Sequence, residues 1–306
     1  MTGLPQRREV RWRRDEMRLA WALALPAIGV IALIAAFPIV WTFWESLHMH
    51  DLRMPWLGRP YVGGANYWEA LADARLRNAV AHTLVFAAAT VTLELAGGLV
   101  LALMLNRVVG ARGLLRTAVL LPWAVPTVVA ALVWRFMFES PSGLVTTVAG
   151  RFGISAPTWF ASPLGAWLPL ILADVWKMTP FVAILLLAGL QNIDQTLYEA
   201  ADMDGAGAWH RFAGITLPLL RPAMTVAVLF RSLDALRIFD LVYVMTGGGP
   251  GSATEPIALF TFIALLQNLR FGFASAISVM VFAAAFVFAL ASIPFLGGDA
   301  FLGRRA

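Results

Sequence analysis

The chain has 306 residues, 60% hydrophobic and 13% charged, with a formal net charge of +5 and no cysteine. Soluble domains sit at about 45–50% apolar and about 25% charged, so an ordinary soluble fold is excluded, as are disulfides and thiolate chemistry. Nor does the basic excess point to nucleic acid. Arg7, Arg8, Arg11, Arg13, Arg14 and Arg18 crowd directly ahead of the first apolar run, where a basic segment faces the cytoplasm and its anionic lipid.

That run, from Leu19 to about Leu47, exceeds the roughly 7–15 residues of a signal-peptide core and ends in no small-x-small cleavage site, so it is expected to stay as a first span. Six runs are long enough to cross ~30 Å of hydrocarbon. They lie near 20–45, 79–105, 115–138, 166–190, 221–245 and 273–296. The expected fold is all-α, a polytopic membrane protein of about six transmembrane helices. A basic segment 1–18 precedes the membrane domain 19–297, and a tail 298–306 follows it. Placing the N-terminus inside assigns thirteen arginines to cytoplasmic segments (the six above, with Arg107, Arg112, Arg116, Arg211, Arg221, Arg304 and Arg305). Six fall outside: Arg53, Arg59, Arg75, Arg77, Arg151 and Arg270. The bias puts both termini in the cytoplasm of a cell-membrane protein.

Prolines punctuate the spans at Pro26, Pro38, Pro122, Pro126, Pro169, Pro180 and Pro294. Pro122 and Pro126, four apart, are expected to bend the third span in one direction. Trp41, Trp44, Trp56, Trp68, Trp159 and Trp167 fall near outer boundaries, where indole rings suit the headgroup level.

The residues of an energy-supplying enzyme are missing. The only lysine, Lys177, lies between Trp176 and Met178, so there is no phosphate-cradling Gly-Lys-Ser/Thr loop. Of the four histidines only His48 and His50 are close, and without a carboxylate partner they make a poor metal site. No nucleophile–base arrangement is visible. The chain is expected to be no enzyme, with no catalytic or metal site and no cofactor of its own.

The connection 191–220 carries most information. Glu199-Ala200-Ala201 suits the opening of a short helix, Gly205 and Gly207 permit a tight bend after Asp204, and a second helix follows from about Ala208. Pro218 and Pro222 mark re-entry to the membrane. The expected product is a cytoplasmic helix–turn–helix, which by spacing alone is either an inert connector or a docking element. The stretch resembles the coupling motif of permease subunits in binding-protein-dependent ABC importers, EAA–three residues–G–nine residues–I-x-L-P. Glu199, Ala200, Ala201, Gly205, Ile215, Leu217 and Pro218 fall on it without a gap. Asn66-Tyr67, Asp174 through Phe181, and Phe230-Arg231-Ser232-Leu233-Asp234 through Thr246-Gly247-Gly248-Gly249-Pro250 resemble the sugar-importing branch. The likeness is greatest to the first of two permease subunits in trehalose- and maltose-type importers.

The resemblance implies four partners besides membrane lipid: a second permease subunit, a dimer of ATP-binding subunits that hold ATP and Mg, and an extracytoplasmic sugar-binding protein. The short helices would sit in a groove of the ATPase, with Glu199 pairing with a base there and Gly205 allowing close contact. It also implies that sugar contacts come from spans four and five, making Thr179, Phe181, Phe239 and Tyr243 candidates for the pathway beside Asp234, Arg237 and Asp240 of the charged row in span five.

Span five carries Arg231, Asp234, Arg237 and Asp240, alternating in sign at steps of three. They read either as a polar wall for a hydroxyl-rich substrate or as a self-paired ladder at a subunit interface. Asp174 and Lys177 form a similar pair in span four, and Glu94 has no local partner. The turn Thr246–Pro250 reads as a contact for the delivering protein or as a plain hairpin. Two other functions compete: a self-contained ion-coupled transporter or channel, with span five as ion path, and a membrane scaffold. No internal repeat of the kind many secondary transporters show is detectable.

Overall fold

The computed structural model describes residues 6–107, 112–152 and 158–292, the side chains of 6–16, 18 and 112 excepted. The side chains of the N-terminal arginines and of Arg112, together with Pro294, Arg304, Arg305 and the tail 298–306, therefore lie outside what it describes. Among the described residues the chain is helical with no strand beyond isolated bridges. Packing divides it into two compact units: the described residues through Ala70 with Ala264–Met280, and Leu71–Ile263 with the described residues from Val281.

The first unit contains α1 (Gln6–Ser46) and the start of α2 (Ala65–Ala72). Leu23, Leu33 and Phe37 on α1 stand largely exposed, as a helix made for lipid or another membrane subunit requires. Asn66 donates through Nδ2 to Ser46 O (2.8 Å) and His48 O (3.0 Å), and the Tyr67 hydroxyl meets Ser46 Oγ at 2.6 Å. Asn66-Tyr67 therefore staples α2 to the end of α1. Beyond it, Arg53 chelates Asp51 (2.5 and 2.9 Å) and Arg270 grips Glu69 (2.6 and 2.7 Å).

The second unit is a bundle around α3 (Ala74–Arg107) and α7 (Pro163–Gln191). These two pack so closely at Gly98 that a Cβ there would stand 2.6 Å from Val182 Cγ1. Small residues at such crossings let membrane helices meet by van der Waals contact. The expected third span is two helices, α4 (Arg112–Ala124) and α5 (Thr127–Phe138), bent by 82°. Pro126 has no N–H to continue the ladder and forbids helical geometry at Val125, so the proline pair breaks the helix rather than curving it. With α6 (Leu144–Arg151) beyond, five helices among the described residues are long and apolar enough to cross a membrane, or six with the bent pair as one span.

After α7 come α8 (Gln195–Met203), α9 (Ala208–Arg211), a π-helical turn Phe212–Thr216 and α10 (Leu217–Ala235). Re-entry at Pro218 and Pro222 does not interrupt the helix. Ala208–Ala235 is one apolar helix of 28 residues. Proline crowds the carbonyl four residues back, here Gly214 for Pro218, and the widened turn lies where that crowding falls. The helix ends at Ala235, not near 245, and a separate α11 (Asp240–Met245) follows, then α12 (Ile257–Phe262) and α13 (Phe271–Ser292). The four-residue charge ladder on one span five is thereby corrected: Arg237 lies past the end of α10, and Asp240 opens the next helix.

Candidate functional site

Two large apolar clusters and a small third one (Ala87, Val91 and Ala235) fill the second unit. One is built on Phe86, Leu170, Leu241, Met245 and Leu259, the other on Ala102, Val182, Leu186, Leu190 and Leu220. Between the two large clusters α3, α7 and α10 also bring charged residues together. Arg231, 1% exposed, holds Glu94 in a two-point pair (Nε to Oε2 2.5 Å, Nη2 to Oε1 2.8 Å). It reaches Asp174 Oδ2 at 3.0 Å and also donates to Asp234. A guanidinium suits this because its planar fork serves several carboxylates at once. Glu94 thus has its partner 137 residues away, a contact no sequence spacing displays.

Asp174 and Lys177 do not form the expected pair. Lys177 Nζ instead donates to Trp123 O (3.1 Å) and Val125 O (2.5 Å). The break before Pro126 leaves these carbonyls without helical donors, and a cation at a helix C-terminus complements its dipole. The one lysine is a cap on the broken span.

Of the pathway candidates, Thr179 is buried, touches the crossing at Gly97 and has a hydroxyl with no partner among the described residues. Phe181 stacks on Trp123 (5.9 Å, 17°). Asp234 is half exposed and stands 3.8 Å from the largely exposed Arg237, so the ionic cluster opens at that end. Phe239 and Tyr243 stack (5.3 Å, 13°) and both meet Phe262. The structure therefore groups Asp234 with Arg237 and Phe239 with Tyr243, and leaves Asp240 paired with neither. Of the expected belt indoles, Trp167 packs on His82 and Phe86 inside the bundle.

The 191–220 connection is a braced elbow. Asp194 caps α8 by accepting from Thr196 N (2.9 Å), which holds its carboxyl below the usual aspartate value of 3.8. Gly205 has φ +75° with nothing near where a Cβ would stand, so backbone conformation alone calls for glycine. Ala206 N donates to Ala201 O (2.9 Å), closing the end of α8 in the manner of a left-handed cap. Arg211 pairs with Asp202, and Tyr198 hydroxyl meets Thr216 Oγ1 at 2.9 Å. Glu199, Ala200 and Asp204 are left exposed, with Met203 (89%) and Trp209 (72%) beside them. Ile215, Leu217 and Pro218 are half-buried where the elbow runs into α10. Among the described residues no three His, Asp or Glu side chains are arranged to hold a metal ion.

Residues 94–306 match the family model of the binding-protein-dependent transport system inner membrane component. The chain belongs to this family. The permease is 43% identical over 268 residues to the trehalose/maltose transport system permease protein MalF of Thermococcus litoralis, covering 87% of this chain and 90% of that one. It is 37% identical over 292 residues to the trehalose transport system permease protein SugA of Mycobacterium tuberculosis, covering 94% and 92%. A bacterial ABC transporter that imports the acidic polysaccharide alginate superposes with a TM-score of 0.79 at 24% identity, over 94% of this chain and 98% of that chain. This likeness bears on the fold. The permease is a multi-pass transport subunit and not an enzyme.

Proposed function

We propose that this permease forms half of the translocation pathway of an ATP-driven importer of a di- or oligosaccharide of the trehalose or maltose type, delivered by an extracytoplasmic binding protein. A second permease completes the pathway, and a dimer of ATP-binding subunits, holding ATP and Mg, drives it from the cytoplasm, where both termini lie. The cargo is supported by the near full-length identity to permeases named for trehalose and maltose transport.

The observation that carries the mechanics is the elbow's continuity with span five. Ala208–Ala235 is a single helix, and α8 is tied to its base by Arg211–Asp202 and Tyr198–Thr216. A push on the exposed Glu199-Ala200 face thus reaches Arg231 and the bundle as a rigid-body movement, not as bending of a soft loop. Glu199 pairs with a base on the ATPase, and Asp204–Gly205 and Ile215–Pro218 shape the joint. On the pathway itself, Thr179, Phe181, Asp234, Arg237, Phe239, Asp240 and Tyr243 offer the hydroxyls, charges and rings that a hydroxyl-rich solute requires.

The test is reconstitution with the partner subunits in liposomes. Gly205→Pro and Glu199→Ala are expected to insert and assemble normally while sugar uptake per ATP hydrolysed falls at least tenfold, roughly 1.4 kcal/mol of coupling. Uptake at the wild-type rate by Gly205→Pro would remove the elbow from the mechanism.

A further inference from the structure

The second unit contains a cleft of about 620 Å³ whose lining includes Arg135, Glu139, Ser140, Trp159, Tyr243 and Thr246. Of the seven pathway candidates, Tyr243 alone lines it. The contributing segments are the end of α5, the approach to α7 and the turn after α11, all of which the charge-bias orientation places on the outer side.

Its chemistry is specific. Trp159 is fixed edge-on to Phe138 (5.4 Å, 81°), and Tyr243 is held by Phe239 and Phe262, so two rings are presented in set orientations. Trp159 Nε1 and Ser140 Oγ are shut off from solvent with no hydrogen-bond partner among the described residues. Buried polar groups in this state are uncommon and cost stability unless a bound molecule completes them. Arg135 spends one N–H on Val244 O (2.9 Å), and Glu139 adds a carboxylate of opposite sign. Charges that balance do not select an ion. Ring faces for C–H surfaces, set beside paired donors and acceptors for hydroxyls, select a neutral saccharide, and the volume lies within the roughly 300–1,000 Å³ of small-molecule sites.

We infer that this cleft is an outer saccharide site, which holds a sugar unit after the binding protein releases it and before it enters the membrane interior. The inference rests on the sugar-import reading above. It assigns Trp159 as a stacking platform, where its sequence position suggested a headgroup anchor.

The experiment uses the assembled transporter with its binding protein in lipid nanodiscs, and trehalose carrying a photoreactive diazirine as probe. Illumination is expected to label peptides containing Arg135–Ser140, Thr158–Ala161 and Tyr243–Pro250. In liposomes, Trp159→Ala is expected to raise the KM for trehalose uptake roughly tenfold with kcat and basal ATP hydrolysis unchanged. Trp159→Phe, which keeps a ring and loses the N–H, should raise it less. Glu139→Gln, which leaves the aromatic packing intact, should raise KM even if Trp159→Ala does not assemble. Label confined to other segments, with KM unmoved in the variants that assemble, overturns the outer site while leaving sugar import standing. A wild-type complex that imports neither trehalose nor maltose overturns the sugar reading itself.

Discussion

The ionic cluster at Arg231 lies on the continuous helix Ala208–Ala235 into which the elbow at Gly205 leads, yet the two are built on opposite principles. In the cluster, Glu94, Asp174 and Arg231 from three helices satisfy one another out of reach of water, so these charges are costly and fixed. In the elbow the bracing pairs are local and the most exposed groups, Glu199 and Met203, have no work inside the chain. The difference teaches where each kind of residue acts. A buried ion pair holds this chain's own helices in one arrangement, whereas an exposed, rigidly presented face is available to another polypeptide.

Removing the centre of the cluster should break that contrast most severely. Arg231→Met leaves Glu94 and Asp174 buried and unpaired, and breaking a buried ionic group by deleting one partner costs about 3–5 kcal/mol. Thermal unfolding of the purified chain in detergent should drop accordingly. Replacing Glu94, Asp174 and Arg231 together by apolar residues of similar size should restore most of the loss, while a single Glu199→Ala in the elbow should leave the transition unmoved. If Arg231→Met is as stable as wild type, the cluster is not what joins these helices.

A smaller effect separates charge from packing at the same level of the bundle. Gly98→Val places two methyl groups where even a Cβ would meet Val182 at 2.6 Å, and overpacking of this kind costs about 1–3 kcal/mol. The same unfolding measurement should register it. A disulfide crosslink between cysteines placed on α3 and α7 should form more slowly as the two helices move apart.

The two regions also differ in how they are written in the sequence. The elbow was legible because its geometry is local. Gly205 acts through its own dihedral preference, so spacing alone gives the bend, whereas the opening of α8 lies at Asp194–Gln195 and not at Glu199, and Pro218 sits inside a continuous helix. The helical class and the spans were legible for a similar reason, since hydrocarbon imposes length and composition on every crossing. The cluster was not. Glu94, Asp174 and Arg231 are brought together by helix packing, and steps of three along the chain paired Asp174 with Lys177, a nearer but wrong partner. The exit of Arg237 and Asp240 from span five was equally hidden, because apolar residues on both sides of Ala235 keep hydropathy high across the helix end. Pro126 did carry a readable signal, as the residue before a proline is driven out of helical geometry, and together with Pro122 it marks a break more than a curve.

The gentlest way to sharpen the comparison is acid, because the elbow's cap is open to water while Glu94 and Arg231 are not. Asp194 accepts from Thr196 N–H, and this hydrogen bond keeps its carboxyl below the ordinary value of 3.8. A lowered folded-state value means that the cap's contribution is fully present above the ordinary value and is lost as pH falls through the lowered one. Hydrogen exchange of α8 amides should therefore speed up as pH drops below about 3.8, beyond the intrinsic change with pH that an unstructured reference peptide reports. Asp194→Asn supplies the same acceptor without a titrating proton, so its α8 should track the reference with no added acid step. An identical acid step in wild type and Asp194→Asn would show that α8 is held by the Tyr198–Thr216 and Arg211–Asp202 ties alone, and that the elbow's rigidity originates on the span-five side of the bend.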